Sequence, residues 1–440
     1  MSRIIIGLGK TGLSCLHYFQ QRQIPVQVMD TRLEPPGLPE LKTLFPTIPV
    51  HLGELNLSIL SQAEEIIISP GISLKEPAIA ACKKQGIPIL GDIELFAREA
   101  KAPIVGITGS NAKSTVTTLV GLMAKQSGIK ALVGGNIGIP ALDLLNEPVP
   151  DIYILELSSF QLEVVNSLSC KIATILNISE DHMDRYPSLT DYSHAKQRIY
   201  DLAEFCLWNR NDALTFPQNN SNSISFGLDE PLNQEFGLRF LEGEYWLTKG
   251  KQPLLSTNKL RIQGKHNWAN AFAAFAIGEQ IGCSWEAMRE ILINFPGLPH
   301  RCQWVAEKNG IHWYNDSKGT NVGSTIAALS GFGTAISGKI ILIAGGDGKG
   351  ADFSDLREPI KNYVREVILI GRDAQRIGIL IHEFMPVHYT SDLKEAVHQA
   401  KQGAKKGDIV LLSPACASID MFNNYEHRGN VFMQAVQDLP

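Results

Sequence analysis

The residues best suited to chemistry sit in one short stretch, Ile104-Val105-Gly106-Ile107-Thr108-Gly109-Ser110-Asn111-Ala112-Lys113-Ser114-Thr115. It reads as a strand, a loop of small residues and the start of a helix. In that order, loop amides and a helix N-terminus can cradle phosphate, Lys113 can reach the β- and γ-phosphates, and Ser114 can offer its hydroxyl to Mg2+. The standard pattern GxxxxGK[ST] is not fully met, because Ile107 and Ala112 stand at its two glycine positions. A helix that merely begins with a lysine is the alternative. The coincidence of strand, loop, Lys-Ser and helix favours phosphate, with Lys113 expected in solvent when no ligand is bound.

A second apolar run, Asp151-Ile152-Tyr153-Ile154-Leu155-Glu156, ends in a carboxylate. An acid at such a strand end holds Mg2+ directly or through water in P-loop enzymes, so Glu156 gains meaning from Lys113. The loop Asn177-Ile178-Ser179-Glu180-Asp181-His182-Met183-Asp184-Arg185-Tyr186 concentrates charge after another strand. Most of it reads as solvated, but the His182 imidazole can ligate a metal or meet a phosphate. Lys196, on the next helical stretch, has no local feature that raises it above a solvated lysine.

Near the start, Gly7-Leu8-Gly9-Lys10-Thr11-Gly12 follows a strand and opens a helix, with Asp30 about 20 residues further on. Glycines there let backbone amides approach a phosphate, and the acid can meet a ribose hydroxyl. A nucleotide is expected, and NAD is only one possible occupant. Further loops follow strands or junctions: Gly264-Lys265-His266-Asn267-Trp268-Ala269-Asn270, Leu298-Pro299-His300-Arg301, Asn315-Asp316-Ser317-Lys318-Gly319-Thr320-Asn321, Gly345-Gly346-Asp347-Gly348-Lys349-Gly350 and Leu412-Ser413-Pro414-Ala415-Cys416-Ala417-Ser418. Loops beyond strand C-termini are where open α/β sheets bind ligands.

These loops need a frame. Short apolar runs over 4–6, 26–29, 66–69, 104–107, 152–156, 172–176, 340–344, 367–370 and 409–412 predict strands, and 115–126, 190–202 and 269–281 predict helices. The alternation predicts an α/β fold with largely parallel sheets. Junctions at Ala100-Lys101-Ala102-Pro103 and Phe295-Pro296-Gly297-Leu298-Pro299 divide 440 residues into three domains, 1–100, 101–297 and 298–440. A polar stretch at 217–222 introduces hairpin-like sequence read as an irregular insertion in the middle domain.

Lys and Arg number 40 against 45 Asp and Glu, a net charge of −5, so no basic excess exists to neutralise a nucleic acid. Seven scattered cysteines form neither a zinc pattern nor a disulfide framework. No apolar run approaches the ~20 residues of a membrane span, and a glycine loop arrives too early for a signal peptide. A cytoplasmic globular protein without membrane insertion is expected.

Together the motifs TGSNxKST, LELSSFQLE, NxxxDHxDR, GxHNxxNA, LPHR, NDSKxTN, GGxGKG and LSPACAS, in that order across nearly the whole chain, resemble the ATP-dependent Mur ligases of peptidoglycan synthesis. Ser158-Ser159-Phe160-Gln161-Leu162 and the tail Asp420-Met421-Phe422-Asn423-Asn424-Tyr425-Glu426-His427-Arg428-Gly429 look most like the members that add D-glutamate; the DNPR sequence of diaminopimelate-adding members is absent. The resemblance implies a Rossmann-like N-terminal domain, a central P-loop ATPase-like domain and a Rossmann-like C-terminal domain. It implies ATP and Mg2+, the partners UDP-N-acetylmuramoyl-L-alanine and D-glutamate, and a monomer. Residue by residue, it implies UDP-substrate contacts at Thr11, Gly12, Asp30, Thr31, Arg32, Gly71 and Asn136. ATP would meet Gly109, Ser110, Asn111, Ala112, Lys113, Ser114, Thr115, Asn267, Arg301 and Asp316, and D-glutamate would meet Lys318, Thr320, Lys349, Ser418 and Tyr425. Lys113, His182 and Lys196 would be catalytic. Ser114, Glu156, His182 and a carbamylated Lys196 would gather round the metal. The family usually has Gly at the place of Ala112 and commonly Phe at that of Tyr425. An NAD-dependent dehydrogenase, suggested by Gly7–Gly12 alone, explains neither Lys113-Ser114 nor the C-terminal loops.

Overall fold

The computed structural model describes residues 3–440 except 219–221, 263, 335 and 337, so part of the polar stretch at 217–222 lies outside the described residues. Three sheets, one after another along the chain, carry the molecule. In the first, Arg3–Ile6 lies between Val26–Asp30 and Ile66–Ile68, with Val50–Leu52 and Ile89–Leu90 at the edges. All its pairings are parallel: Ile4, Ile5 and Ile6 face Gln27, Val28 and Met29 on one side and Ile66, Ile67 and Ile68 on the other. Strands buried on both faces read as unbroken apolar runs, which is why these isoleucine triplets are legible in sequence.

The second sheet has nine strands. Ile104–Thr108 is flanked by Ile152–Glu156 and Ile172–Ile175, with Ala131–Gly135 at one edge. Beyond Phe205–Asn209 and Ser223–Phe226 comes an antiparallel ribbon, Phe236–Leu241, Glu244–Lys249 and Gln252–Ser256. The hairpin-like sequence is therefore an extension of the central sheet rather than an irregular insertion. The helix Lys265–Gln280 packs against this sheet. It is buried all round from Asn270 through Gly278, and so carries small alanines rather than an amphipathic stripe.

The third sheet runs Gln303–Lys308, Ile311–Asn315, Ile409–Leu412, Ile340–Gly345, Val364–Ile370, Val387–Tyr389, parallel except for the first pair. The helix predicted over 190–202 ends at Gln197 and tightens into a 3-10 turn, Arg198–Tyr200, which sends the Tyr200 hydroxyl inward to donate to Leu207 O at 2.8 Å. The first two sheets share one apolar cluster: Phe96, on the helix Asp92–Glu99, meets the Tyr153 ring edge-on at 5.0 Å. All seven cysteines are unpaired and six are buried. Among the described residues no helix is long and apolar enough to cross a membrane.

Candidate active site

The strand Ile104–Thr108 delivers the chain into a loop that turns before the helix Lys113–Gln126. The loop is held from beneath by Asn177, whose Oδ1 accepts the Asn111 amide at 2.8 Å and whose carbonyl accepts that of Ser110 at 2.9 Å. Ala112 has φ +66, a left-handed conformation that costs an L-residue about 1–2 kcal/mol. No side chain caps the helix that follows and no acid lies in its first turn, so its amides remain available to an anion.

Two lysines converge on this loop. Lys113 is not in solvent: half-buried, its Nζ donates to Gly109 O at 2.8 Å and Ser110 O at 3.0 Å. Burial lowers its pKa against the pull of Glu156 and Asp181. Lys196 is 1% exposed, and its Nζ donates to Gly109 O at 3.0 Å beside the Tyr192 ring, 4.5 Å away. Burial first, and then the charge of Lys113, push its pKa well below that of an ordinary lysine. The amine is thus biased toward its neutral, nucleophilic form.

Glu156 ends its strand 3% exposed. Its Oε1 accepts Asn136 Nδ2 at 2.9 Å, while its Oε2 is buried with no hydrogen-bond partner. A buried carboxylate oxygen without a donor is costly unless a cation meets it. Among the described residues no three His, Cys, Asp or Glu side chains are grouped for a metal. Glu156, with the hydroxyl of Ser114, nevertheless suits Mg2+, which binds through one or two protein oxygens plus the phosphates of its nucleotide. His182, at φ +58, lies against Phe160 with ring centroids 4.8 Å apart, and burial lowers its pKa. It is mostly neutral near pH 7.

The C-terminal domain reaches this loop directly. Arg301 Nη2 donates to Ser114 Oγ at 2.8 Å. A cavity of about 910 Å3 opens beside that contact, lined by Asn111, Thr115, Asn267, Arg301, Asp316 and Lys318 among others. Asp316 is buried, accepts Ser413 Oγ at 2.7 Å and has its pKa pushed up to about 6 by burial. Lys318 lies over the Tyr425 ring at 3.8 Å, its pKa brought down to about 8 by burial and by Arg301. Thr320 and Lys349 line a separate crevice with Asp181 and His182. Ser418 follows Ala417, which exchanges backbone hydrogen bonds with Asp347, two residues from Lys349.

Thr11, Gly12, Asp30, Thr31, Arg32 and Gly71 form a different group, at the C-terminal edge of the first sheet. Gly12 cannot carry a side chain, since a Cβ would fall 1.8 Å from Gly7 O where helix meets strand. Asp30 is fully buried; its carboxylate accepts the Leu8 amide at 2.6 Å and binds Arg32 bidentately at 2.7 and 2.8 Å. Burial alone would raise its pKa, but Arg32 and Leu8 outweigh that and hold it low. Arg185 joins the two groups: it donates to the carbonyls of Pro70 and Ile72, either side of Gly71, and stacks on Phe160 at 4.1 Å. Sequence reasoning singles out neither Arg185 nor Asp181, both in the charged loop, and it misses Asn321 and Ser324 as well. The signal for the first two is the charge density of that loop. For the others there is none beyond an Asn that can cap a helix.

Comparison with known proteins agrees along the whole chain. The family models described as "Mur ligase MurD-like, N-terminal domain", "Mur ligase middle domain" and "Mur ligase, glutamate ligase domain" match residues 1–91, 107–278 and 300–416. The UDP-N-acetylmuramoylalanine--D-glutamate ligase of Pseudomonas aeruginosa is 51% identical over 439 residues, covering 99% of this chain and 98% of that one. The enzyme of the same name from Legionella pneumophila is 48% identical over 441 residues, covering 99% of each. In fold, the chain is similar to UDP-N-acetylmuramate-alanine ligase MurC of Thermotoga maritima (TM-score 0.62, 20% identity, 99% of each chain). It is also similar to MurF ligase of that organism in complex with ADP (TM-score 0.63, 13% identity, 99% of this chain and 95% of that one).

Proposed function

The chain belongs to the Mur ligase family, and from that premise we propose that it uses ATP to join D-glutamate to the alanyl carboxylate of UDP-N-acetylmuramoyl-L-alanine, in cytoplasmic peptidoglycan precursor synthesis. The observation that carries the reading is the contact of Arg301 with Ser114 at 2.8 Å, which joins a phosphate loop to the domain that holds Lys318 and Lys349. Residues 1–100 hold the UDP substrate, 101–297 the nucleotide and 298–440 the amino acid. The working unit is a monomer.

The substrate carboxylate attacks the γ-phosphorus; a new O–P bond forms as the bond to the β-phosphate oxygen breaks, and ADP leaves. The amine of D-glutamate then attacks the acyl phosphate, a C–N bond forms, phosphate departs with the C–O electron pair, and the amine loses a proton. Such transfers need positioning and charge neutralisation more than a protein nucleophile. Lys113 and the helix amides draw the phosphates in, and Arg301 closes on them from the opposite domain. Ser114 and Glu156, with His182 near, would hold Mg2+, which would supply further positive charge. Lys196, biased by burial toward its neutral amine, would form an N–C bond to CO2 and lose a proton, giving a carbamate whose oxygens would suit a hard metal. Asn267 and Asp316 hold the nucleotide, and Lys318, Thr320, Lys349, Ser418 and Tyr425 hold the acidic amino acid.

The test is phosphate release from ATP across a panel of UDP-muramoyl acceptors and amino acids. Release should require UDP-N-acetylmuramoyl-L-alanine and D-glutamate together. Faster release with another acceptor or another amino acid overturns the assignment.

A further inference from the structure

The carboxylate of Asp181 is 13% exposed and lies where the central and C-terminal domains meet. Its Oδ1 accepts the backbone amide of His182 at 3.0 Å, which fixes the side chain on its own loop. The same oxygen accepts Lys349 Nζ at 3.3 Å, from 168 residues away in sequence. Its Oδ2 accepts Asn321 Nδ2 at 3.3 Å. Asn321 in turn donates to Asn111 Oδ1 of the phosphate loop at 3.3 Å, and Ser324 Oγ donates to that oxygen at 2.5 Å. One carboxylate therefore touches a lysine of the C-terminal crevice and, through a single amide, the phosphate loop. Gly323 makes this approach possible, because a Cβ there would lie 2.7 Å from Ser179 Oγ.

Lys349 is set from both ends. Its backbone, at φ +50, is held by a hydrogen bond from its amide to Asp347 Oδ1 at 3.0 Å. Asp181 occupies one of the three donors of its ammonium group, leaving the others for a ligand. A long, flexible side chain fixed in this way does not have to be ordered when the ligand arrives. Thr320 precedes Asn321 and lines the same crevice as Lys349 and Asp181.

We propose that Asp181 is a positioning residue of the ligase reaction: its carboxylate aims the Lys349 ammonium at a carboxylate of the incoming acidic amino acid and, through Asn321, fixes that ammonium relative to the phosphate loop. The proposal rests on the reading of Lys349 as part of the D-glutamate site. It differs from a plain domain-joining ion pair in demanding an effect specific to one substrate.

Asp181→Asn keeps the shape and, with its oxygen at the Oδ1 position, can still accept from His182; it removes the charge that faces Lys349 and the oxygen that accepts from Asn321. In steady-state assays its KM for D-glutamate should rise about tenfold, the order of one charge-assisted hydrogen bond, while KM for ATP changes less than about threefold. Asp181→Glu restores the charge and should bring KM for D-glutamate back toward the wild-type value. The double variant of Asp181→Asn with Lys349→Met should be no worse for D-glutamate than Lys349→Met alone, since the carboxylate acts through that lysine. A KM for D-glutamate within twofold of wild type, an equal rise in both KM values, or losses that multiply in the double variant overturns the proposal. Should Asp181→Asn not fold, as judged by circular dichroism, Asp181→Ser carries the same comparison. Wild-type protein assayed alongside separates the two failures: no D-glutamate-dependent phosphate release refutes the functional reading, whereas normal wild-type turnover with an unaltered Asp181→Asn refutes only the role of Asp181.

Discussion

Ala112 holds a backbone conformation in the phosphate loop that a glycine would adopt more easily. Its φ of +66 is unfavourable for any residue with a Cβ. Ala112→Gly should therefore raise stability by about 0.5–1 kcal/mol, read as a higher unfolding midpoint, with phosphate release retained. Loss of activity in that variant would show that the methyl group, which lines the large cavity, contributes to nucleotide binding. Lys113→Ala removes two hydrogen bonds to loop carbonyls as well as a charge. Each such bond contributes about 1 kcal/mol to stability, so the variant should still fold, yet turnover should fall by at least about a hundredfold. Near-normal turnover would sink the phosphate-loop assignment. For Lys196, wedged under Gly109, an Ala variant leaves a hole lined by Thr108 and Tyr192. It should be nearly inactive and partly rescued by short-chain carboxylic acids, which can supply the missing oxygens. Full activity without rescue would count against a carbamate there.

At the scale of elements, the helix Asp92–Glu99 fastens the first sheet to the second. Its first residue, Asp92, is 2% exposed, accepts Gln161 Nε2 at 3.1 Å through Oδ2, and has an Oδ1 with no hydrogen-bond partner. Burial raises its pKa from 3.8 to about 6. The fold thus favours the protonated acid. Stability from this group is complete below the unfolded pKa and is lost as pH rises through about 6. Asp92→Asn removes that dependence. Between about pH 4 and pH 7 the stability gap between the two proteins should move by about 2 kcal/mol in favour of the variant. Denaturant unfolding at the two pH values measures it. A gap that does not change with pH would mean that Asp92 ionises freely in the folded chain.

For the whole molecule, the site exists only where domains meet. Arg301 contributes to the phosphate loop from the third sheet's side, and Lys349 contributes to Asp181. Selection of an acidic amino acid should then reside in the C-terminal domain and be separable from ATP binding. Lys349→Met keeps the aliphatic stem and deletes the charge. It should raise KM for D-glutamate by at least about tenfold and leave KM for ATP within about threefold. Equal effects on both substrates would relocate the amino-acid site.

The sequence alone determined what depends on near neighbours. Lys113 and Ser114 follow an apolar strand after a four-residue loop, so one window of twelve residues is enough to propose a phosphate loop. The isoleucine triplets of the first sheet are equally plain, because a doubly buried parallel strand has no polar alternation to hide it. The edge strand Ala131–Gly135 was not legible: half-buried and ending in two glycines, it resembles a turn until Ile152–Glu156 pairs with it. Tertiary structure decided the rest. Lys196 looks like any helix lysine until the loop at Gly109 closes over it, and Asp181 is one acid among several until Lys349 arrives from another domain. Local periodicity encodes burial and turns, whereas the meeting of side chains 168 or 187 residues apart depends on how finished sheets pack, and no spacing in the chain records that.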